Sequence, residues 1–213
     1  MTGAVRRTLV IGITGPIGCG KSTVARWLST LHGGESVDAD QVARDVLAPG
    51  TTEVEDVYAR FGSDLRRPDG SLDRAALGRV VFSDPRALAV LEGIVHPAVR
   101  ERILAAIELA KGRGAEAVVI EAVKLVEGGL ADMCDEVWLV TCDPATQLER
   151  LLGRGEAEDD ASARIAAQTD LEGRVRSYPR GIREIVTDGD PNATRATVIA
   201  AFGAALEAAS PRA

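Results

Sequence analysis

Gly15-Pro16-Ile17-Gly18-Cys19-Gly20-Lys21-Ser22 fits the pattern G-x-x-x-x-G-K-[ST] at every fixed position. Its flanks give the match its meaning. Leu9-Val10-Ile11-Gly12-Ile13-Thr14 is a short apolar run that predicts a buried strand. Ser22-Thr23-Val24-Ala25-Arg26-Trp27-Leu28 predicts a helix with Val24, Trp27, Leu28 and Leu31 on one face. Strand, glycine-rich loop and helix are the setting of a phosphate-binding loop. Gly15, Gly18 and Gly20 let successive backbone N–H groups turn around a polyphosphate, and the helix N-terminus adds partial positive charge. Lys21 brings a mobile charge to the β- and γ-phosphates, and the Ser22 hydroxyl is a hard oxygen ligand for Mg²⁺. The stretch predicts a nucleoside triphosphate site. Cys19 has two readings: a thiol of lowered pKa beside Lys21, or a small residue filling a tight loop.

Outward from the loop, Ser36–Asp38 predicts a second short strand, and a helix is expected after Asp40. Asp38 and Asp40 are then two carboxylates at a strand end, on the sheet edge where ligands collect in open α/β sheets. Asp40 reads as a helix N-cap, as an acid that takes the proton of an acceptor hydroxyl, or as both. Helices follow: one capped by Thr51-Thr52 and ended by Gly62, one capped by Asp73, one started by Ser83-Asp84-Pro85 and broken at His96-Pro97, and a long one over 98–111. His96 alone reads as a helix-junction residue. Roughly 70 residues between the second and third strands exceed an ordinary connection, so this segment predicts a helical insert on the acceptor-binding side.

Ala117–Glu121 is the third predicted strand, and Glu121 is either a Mg²⁺-shell acid or a strand-end carboxylate in water. Glu136–Thr141 is the fourth. Asp143-Pro144 starts a helix carrying Gln147, Arg150 and Arg154, the two arginines four apart on one face. They suit either a phosphate clamp or a solvated basic face. The acidic tip at 153–160 and the helix beyond it have the pattern of a lid. Glu184–Thr187 is the last strand, turned by Asp188-Gly189, and a helix over about 192–208 closes the chain before a fraying 210–213. Alternation of strands and helices predicts an α/β fold with three layers and a five-stranded parallel sheet. The expected organisation is one domain: nucleotide core 8–40, 115–150 and 182–208, helical subdomain 41–112, lid 150–170.

The chain has 213 residues, of which 46% are hydrophobic and 27% charged, an ordinary globular balance. A formal charge of -7 argues against a general nucleic-acid surface, but not against ATP, which is met by local amides and a few cations. Arg6 and Arg7 precede an apolar run too short for a signal segment, and no run approaches a membrane span. Cys19, Cys134 and Cys142 lack metal-ligand spacing, and their odd, sparse number suits a reducing cytosol. The expectation is a cytoplasmic protein without membrane or nucleic-acid partners; the oligomeric state is not legible.

On these residues the chain resembles the dephospho-coenzyme A kinases. The matching pieces are Ile11-Gly12-Ile13-Thr14-Gly15 with Gly18–Thr23, Val37-Asp38-Ala39-Asp40 with Ala43-Arg44, Phe61-Gly62, and Asp69-Gly70 with Leu72-Asp73-Arg74. Further on come Val81-Phe82, Leu91-Glu92 with His96-Pro97, Gln147 with Arg150-Leu151, and Arg164-Ile165 with Gln168. The resemblance implies transfer of the ATP γ-phosphoryl group to the ribose 3′-hydroxyl of dephospho-coenzyme A. It places Asp40 on the family's base, Lys21 on its loop lysine and Arg150 on its lid arginine. Gly15, Gly18, Cys19, Gly20, Lys21, Ser22, Thr23 and Arg154 then face ATP, Ser22 and Glu121 the Mg²⁺ ion, and Asp38, Asp40, Arg44 and His96 the acceptor. The chain departs from the family at Pro16, usually glycine, and at Glu121-Ala122-Val123-Lys124-Leu125-Val126-Glu127, where the family reads Asp-Ile-Pro-Leu-Leu-x-Glu. Lys124 is new there, and its site just past a strand end makes it a candidate for the acceptor's phosphates. Thr187-Asp188-Gly189 also replaces an asparagine–glycine pattern. Two other functions fit the same loop: a kinase for a nucleoside or sugar-acid acceptor, and a nucleotide-switched binding ATPase.

Overall fold

The computed structural model describes residues 7–30, 33–168 and 170–209. The sequence expectations at Arg6, Leu31, His32 and 210–213 lie outside the described residues. Five strands, β1 (Leu9–Thr14), β2 (Glu35–Asp38), β3 (Ala117–Glu121), β4 (Glu136–Thr141) and β5 (Arg183–Val186), form a parallel sheet in the order β2-β3-β1-β4-β5. The chain moves to one side of β1 for β2 and β3, then to the other for β4 and β5. The loop after β1 therefore leaves the carboxyl edge where the strand order reverses, the crevice position of open α/β sheets.

Residues of β1 alternate between two covered faces. Leu9, Ile11 and Ile13 join a core with Val24 and Leu28 of α1 (Lys21–Thr30) and Val198, Phe202 and Ala205 of α9 (Pro191–Ala209). Gly12 points the other way, where an added Cβ would lie 2.6 Å from Leu125 Cδ2 and 2.7 Å from Cys134 Sγ. Both faces being dry, β1 reads as a continuous apolar run, as buried parallel strands do.

The described residues up to Asp38 and from Ile107 onward form one compact unit, and Ala39–Ala106 form a second, all-helical one. The helical unit contains α2 (Ala39–Val46), α3 (Thr52–Phe61), α4 (Arg74–Ser83) and most of α5 (Pro85–Gly112). Val54, Val57, Leu77, Val81, Val99 and Ile103 are buried. Thr51 caps α3 by accepting from the Val54 N–H, and Asp73 caps α4 by accepting from the Ala76 N–H. That bond, helped by Arg67, holds the Asp73 carboxyl below the usual carboxylate range.

Three sequence expectations need correction here. His96-Pro97 does not break the chain, because α5 runs unbroken through Pro97. An interior proline costs about 3 kcal/mol, and the buried Ala98, Val99, Ile103 and Ile107 that follow it offset that loss. The second helix starts at Ala39, so Asp40 lies in its first turn rather than capping it, where the helix dipole favours a carboxylate. The arginine helix α6 (Pro144–Leu152) stops before Arg154. It is followed by α7 (Glu158–Ala166) and by α8 (Leu171–Arg176), a short helix that the sequence reading did not contain.

Candidate active site

Because α1 begins at Lys21, the loop Gly15–Gly20 runs into a helix N-terminus whose first amides have no intrahelical acceptor. Gly15 has φ +144°, and a Cβ there would lie 2.0 Å from the Val140 carbonyl oxygen, so the loop passes β4 where only glycine fits. Lys21 Nζ donates to the carbonyls of Gly15 and Pro16 at 2.8 and 3.0 Å. Its charge is thus kept at the loop.

Side chains from distant parts of the chain hold the loop's backbone. The Ile17 N–H donates to Gln168 Oε1 at 2.7 Å, and the Ile17 carbonyl accepts from Gln147 Nε2 at 2.6 Å. Gln147 is buried on α6, and Gln168 follows α7. Thr187, just past β5, donates its hydroxyl to the Cys19 carbonyl at 2.8 Å. The Cys19 side chain is joined to Cys142, next after β4, in a disulfide with Cα atoms 5.1 Å apart. Neither reading of Cys19 foresaw that partner, and the bond runs against the expectation that a sparse, odd set of cysteines stays reduced. The two residues are 123 apart in sequence and meet because β4 ends beside the loop. Cys134 is a buried free thiol whose pKa is pushed up to about 12, first by burial and then by Asp135.

Ser22 Oγ donates to Glu121 Oε1 at 2.6 Å. Glu121 ends β3 in register with Asp38 at the end of β2, so a second carboxylate stands one strand away. Among the described residues no group of three or more His, Cys, Asp or Glu side chains is arranged to hold a metal. The candidate set is therefore one hydroxyl and one carboxylate. Such hard oxygens fit Mg²⁺, which keeps water and phosphate ligands and takes few from the protein.

Arg150 Nη1 donates to Thr187 Oγ1 at 2.9 Å, and Nη2 donates to the Thr187 carbonyl at 2.6 Å. Arg154, expected on the same helix face, sits in the turn past α6. Both arginines nevertheless line one cavity of about 210 Å³, together with Gly18, Gly20, Thr23 and Trp27. In the helical unit a separate groove of about 200 Å³ is lined by Asp40, Arg44, Arg74, Leu91 and His96. Arg74 donates to the Arg44 carbonyl at 2.8 Å, so two arginines, the carboxylates of Asp40 and Glu92 and apolar side chains share this groove. His96 belongs to that lining instead of marking a helix junction. Lys124 is exposed in the turn after β3.

The family model for dephospho-CoA kinase matches residues 9–179. The chain belongs to the dephospho-CoA kinase family. A dephospho-CoA kinase of Streptomyces avermitilis is 49% identical over 184 residues, 85% of each chain. That of Symbiobacterium thermophilum is 45% identical over 197 residues, 92% of this chain and 81% of that one. The crystal structure of TT1252 from Thermus thermophilus is similar at a TM-score of 0.76 and 30% identity, covering 93% of this chain and 98% of that one.

The dephospho-CoA kinase match ends before β5, so Thr187 lies beyond it. Thr187, Gln147 and Gln168 are the residues whose tasks sequence reasoning missed. The glutamines were visible as motif pieces, but not as partners of Ile17. Trp27, read as part of a core face, also lines the cavity.

Proposed function

We propose that the chain phosphorylates the ribose 3′-hydroxyl of dephospho-coenzyme A with ATP, giving coenzyme A and ADP, the last step of coenzyme A synthesis, in the cytoplasm. Family membership supports the acceptor. The observation that carries the phosphoryl-transfer reading is Arg150, which lines the same cavity as the loop glycines Gly18 and Gly20. A cation supplied by the chain itself suits an enzyme that completes its own site, where a switched ATPase awaits its partner.

In this reading the loop amides and Lys21 hold the β- and γ-phosphates. Ser22 and Glu121 hold Mg²⁺, which when bound offsets phosphate charge. Arg150 and Arg154 face the charge that spreads over the transferring group. Arg44, His96, Asp38 and Lys124 orient the acceptor, and Asp40 takes the 3′-hydroxyl proton as the new O–P bond forms and the bond to ADP breaks. The transition state is loose, so position and charge contribute more than the base. The segment 150–170 serves as a lid that keeps water from the transferring group. Among the described residues no helix is long and apolar enough to cross a membrane.

The test is ADP formation from Mg-ATP with and without dephospho-coenzyme A, with Lys21→Ala as control and the product weighed by mass spectrometry. Acceptor-dependent ADP and a product heavier by one phosphoryl group are expected. Hydrolysis indifferent to the acceptor overturns the proposal.

A further inference from the structure

Thr187 is buried at the carboxyl edge of the sheet, and its hydroxyl is shared by three elements. It is 2.8 Å from the Cys19 carbonyl in the phosphate loop, 3.2 Å from the Thr141 carbonyl at the end of β4, and 2.9 Å from Arg150 Nη1 on α6. A hydroxyl has one proton and two lone pairs. It donates to the nearer carbonyl, that of Cys19, and accepts from the guanidinium. The Thr187 backbone carbonyl takes a second Arg150 N–H at 2.6 Å. Two of the five guanidinium donors are thereby committed to one residue, and the ring of donors is fixed in plane. The place where it is fixed is defined by the loop: a Cβ on Gly20 would lie 3.9 Å from both Arg150 Nη1 and Thr187 Oγ1.

We infer that Thr187 is a positioning residue for phosphoryl transfer, its hydroxyl setting Arg150 against the phosphate loop. This rests on the proposed role of Arg150. The arginine's long side chain has many rotamers, and its charge helps only when aimed at the position where charge develops. A fork held from one side by Thr187 presents its remaining donors to the cavity that Gly18 and Gly20 also line. Valine has the same shape as threonine without the hydroxyl, so it removes the donor and acceptor while leaving the volume unchanged.

The experiment compares wild type, Thr187→Val, Thr187→Ser, Arg150→Ala and the Arg150→Ala/Thr187→Val double variant. Thr187→Val is expected to lower kcat by about 10-fold or more, the effect of losing a hydrogen bond to a charged group; the lost bond to the Cys19 carbonyl acts separately, loosening the loop and raising the KM for ATP. Thr187→Ser restores most of kcat. In the Arg150→Ala background Thr187→Val lowers kcat no further, because its effect on the transferring step runs through the arginine. A kcat loss that simply multiplies with that of Arg150→Ala, a change confined to KM, or no rescue by serine overturns the inference. The same five proteins are assayed for acceptor-free Mg-ATP hydrolysis. The Arg150–Thr187 coupling is then read even where dephospho-coenzyme A is not turned over, a result that would sink the acceptor assignment alone.

Discussion

Replacing Gln147 with leucine removes one donor from beneath the phosphate loop and leaves side-chain volume nearly unchanged. Gln147 is 5% exposed and donates to the Ile17 carbonyl at 2.6 Å. Its neighbour Leu151, fully buried one turn on, keeps α6 in place. The variant leaves the carbonyl facing an apolar side chain, a penalty of about 1–3 kcal/mol for a buried acceptor without a partner. Taken at about 2 kcal/mol, this corresponds to a factor of about 30 in an equilibrium constant. Spread over the whole fold, it would lower Tm by about 4–5 °C, using about 2.1 cal/mol/K per residue for the unfolding entropy. The bond, however, touches only the loop. We therefore predict that the KM for ATP rises about 30-fold while kcat stays within about threefold, since the loop holds the phosphates alike in ground and transition states. Steady-state ADP release at varied ATP, with a thermal melt beside it, reads both numbers. A melt lowered by several degrees with KM unchanged would show that Gln147 supports the fold and not the nucleotide site, and would refute the reasoning.

Asp40→Asn is expected to lower kcat by about 10²–10⁴-fold, the range of a lost general base, with Tm lowered by no more than about 2 °C, the loss of a favourable charge in the first turn of α2; a near-normal rate would leave it a helix-terminal charge and nothing more. Glu121→Gln should raise the Mg²⁺ concentration for half-maximal rate about 10-fold, as the loss of a carboxylate that orients or ligates a metal does; the motivation is its 2.6 Å bond to Ser22, and an unchanged Mg²⁺ titration removes Glu121 from the metal site. Iodoacetamide at pH 8 should leave the native protein unlabelled at Cys134, because the thiolate is the reactive form and burial pushes that thiol up to about 12. Since its folded value lies above the unfolded one, the stability this group contributes is present below about 9 and is lost as pH climbs from there towards about 12. After denaturation without reductant one cysteine should label, and after reduction all three; three labels without reductant would contradict the Cys19–Cys142 bond.

What the chain announces in advance is whatever its local chemistry dictates. The apolar run of β1, the spacing of the phosphate loop and the caps at Thr51 and Asp73 depend on neighbours a few residues away, and each lies where its pattern placed it. The Ser22–Glu121 pair was legible as two candidates, because strand ends of one parallel sheet share an edge. Pro97 was misjudged for the converse reason: a local breaking signal is overridden by buried side chains that only tertiary packing supplies. Arg154 was placed by helical periodicity, which ceases to apply where α6 ends. The bonds from Gln147, Gln168 and Thr187 to the loop span 130, 151 and 168 residues, and no spacing rule reaches that far.

The bond between Cys19 and Cys142 also has a topological consequence. With the backbone from one cysteine to the other it closes a covalent ring, and all of the helical unit, Ala39–Ala106, lies on that ring. A single cut in the exposed turn at Arg67–Gly70 then linearises the ring without dividing the molecule. Such nicked protein keeps its full mass on a non-reducing gel and separates into two pieces when a thiol is added. In oxidised protein the helical unit can be opened at any one point without either fragment being released; in a reducing compartment the same cut parts the chain of β1 and β2 from that of β3, β4 and β5.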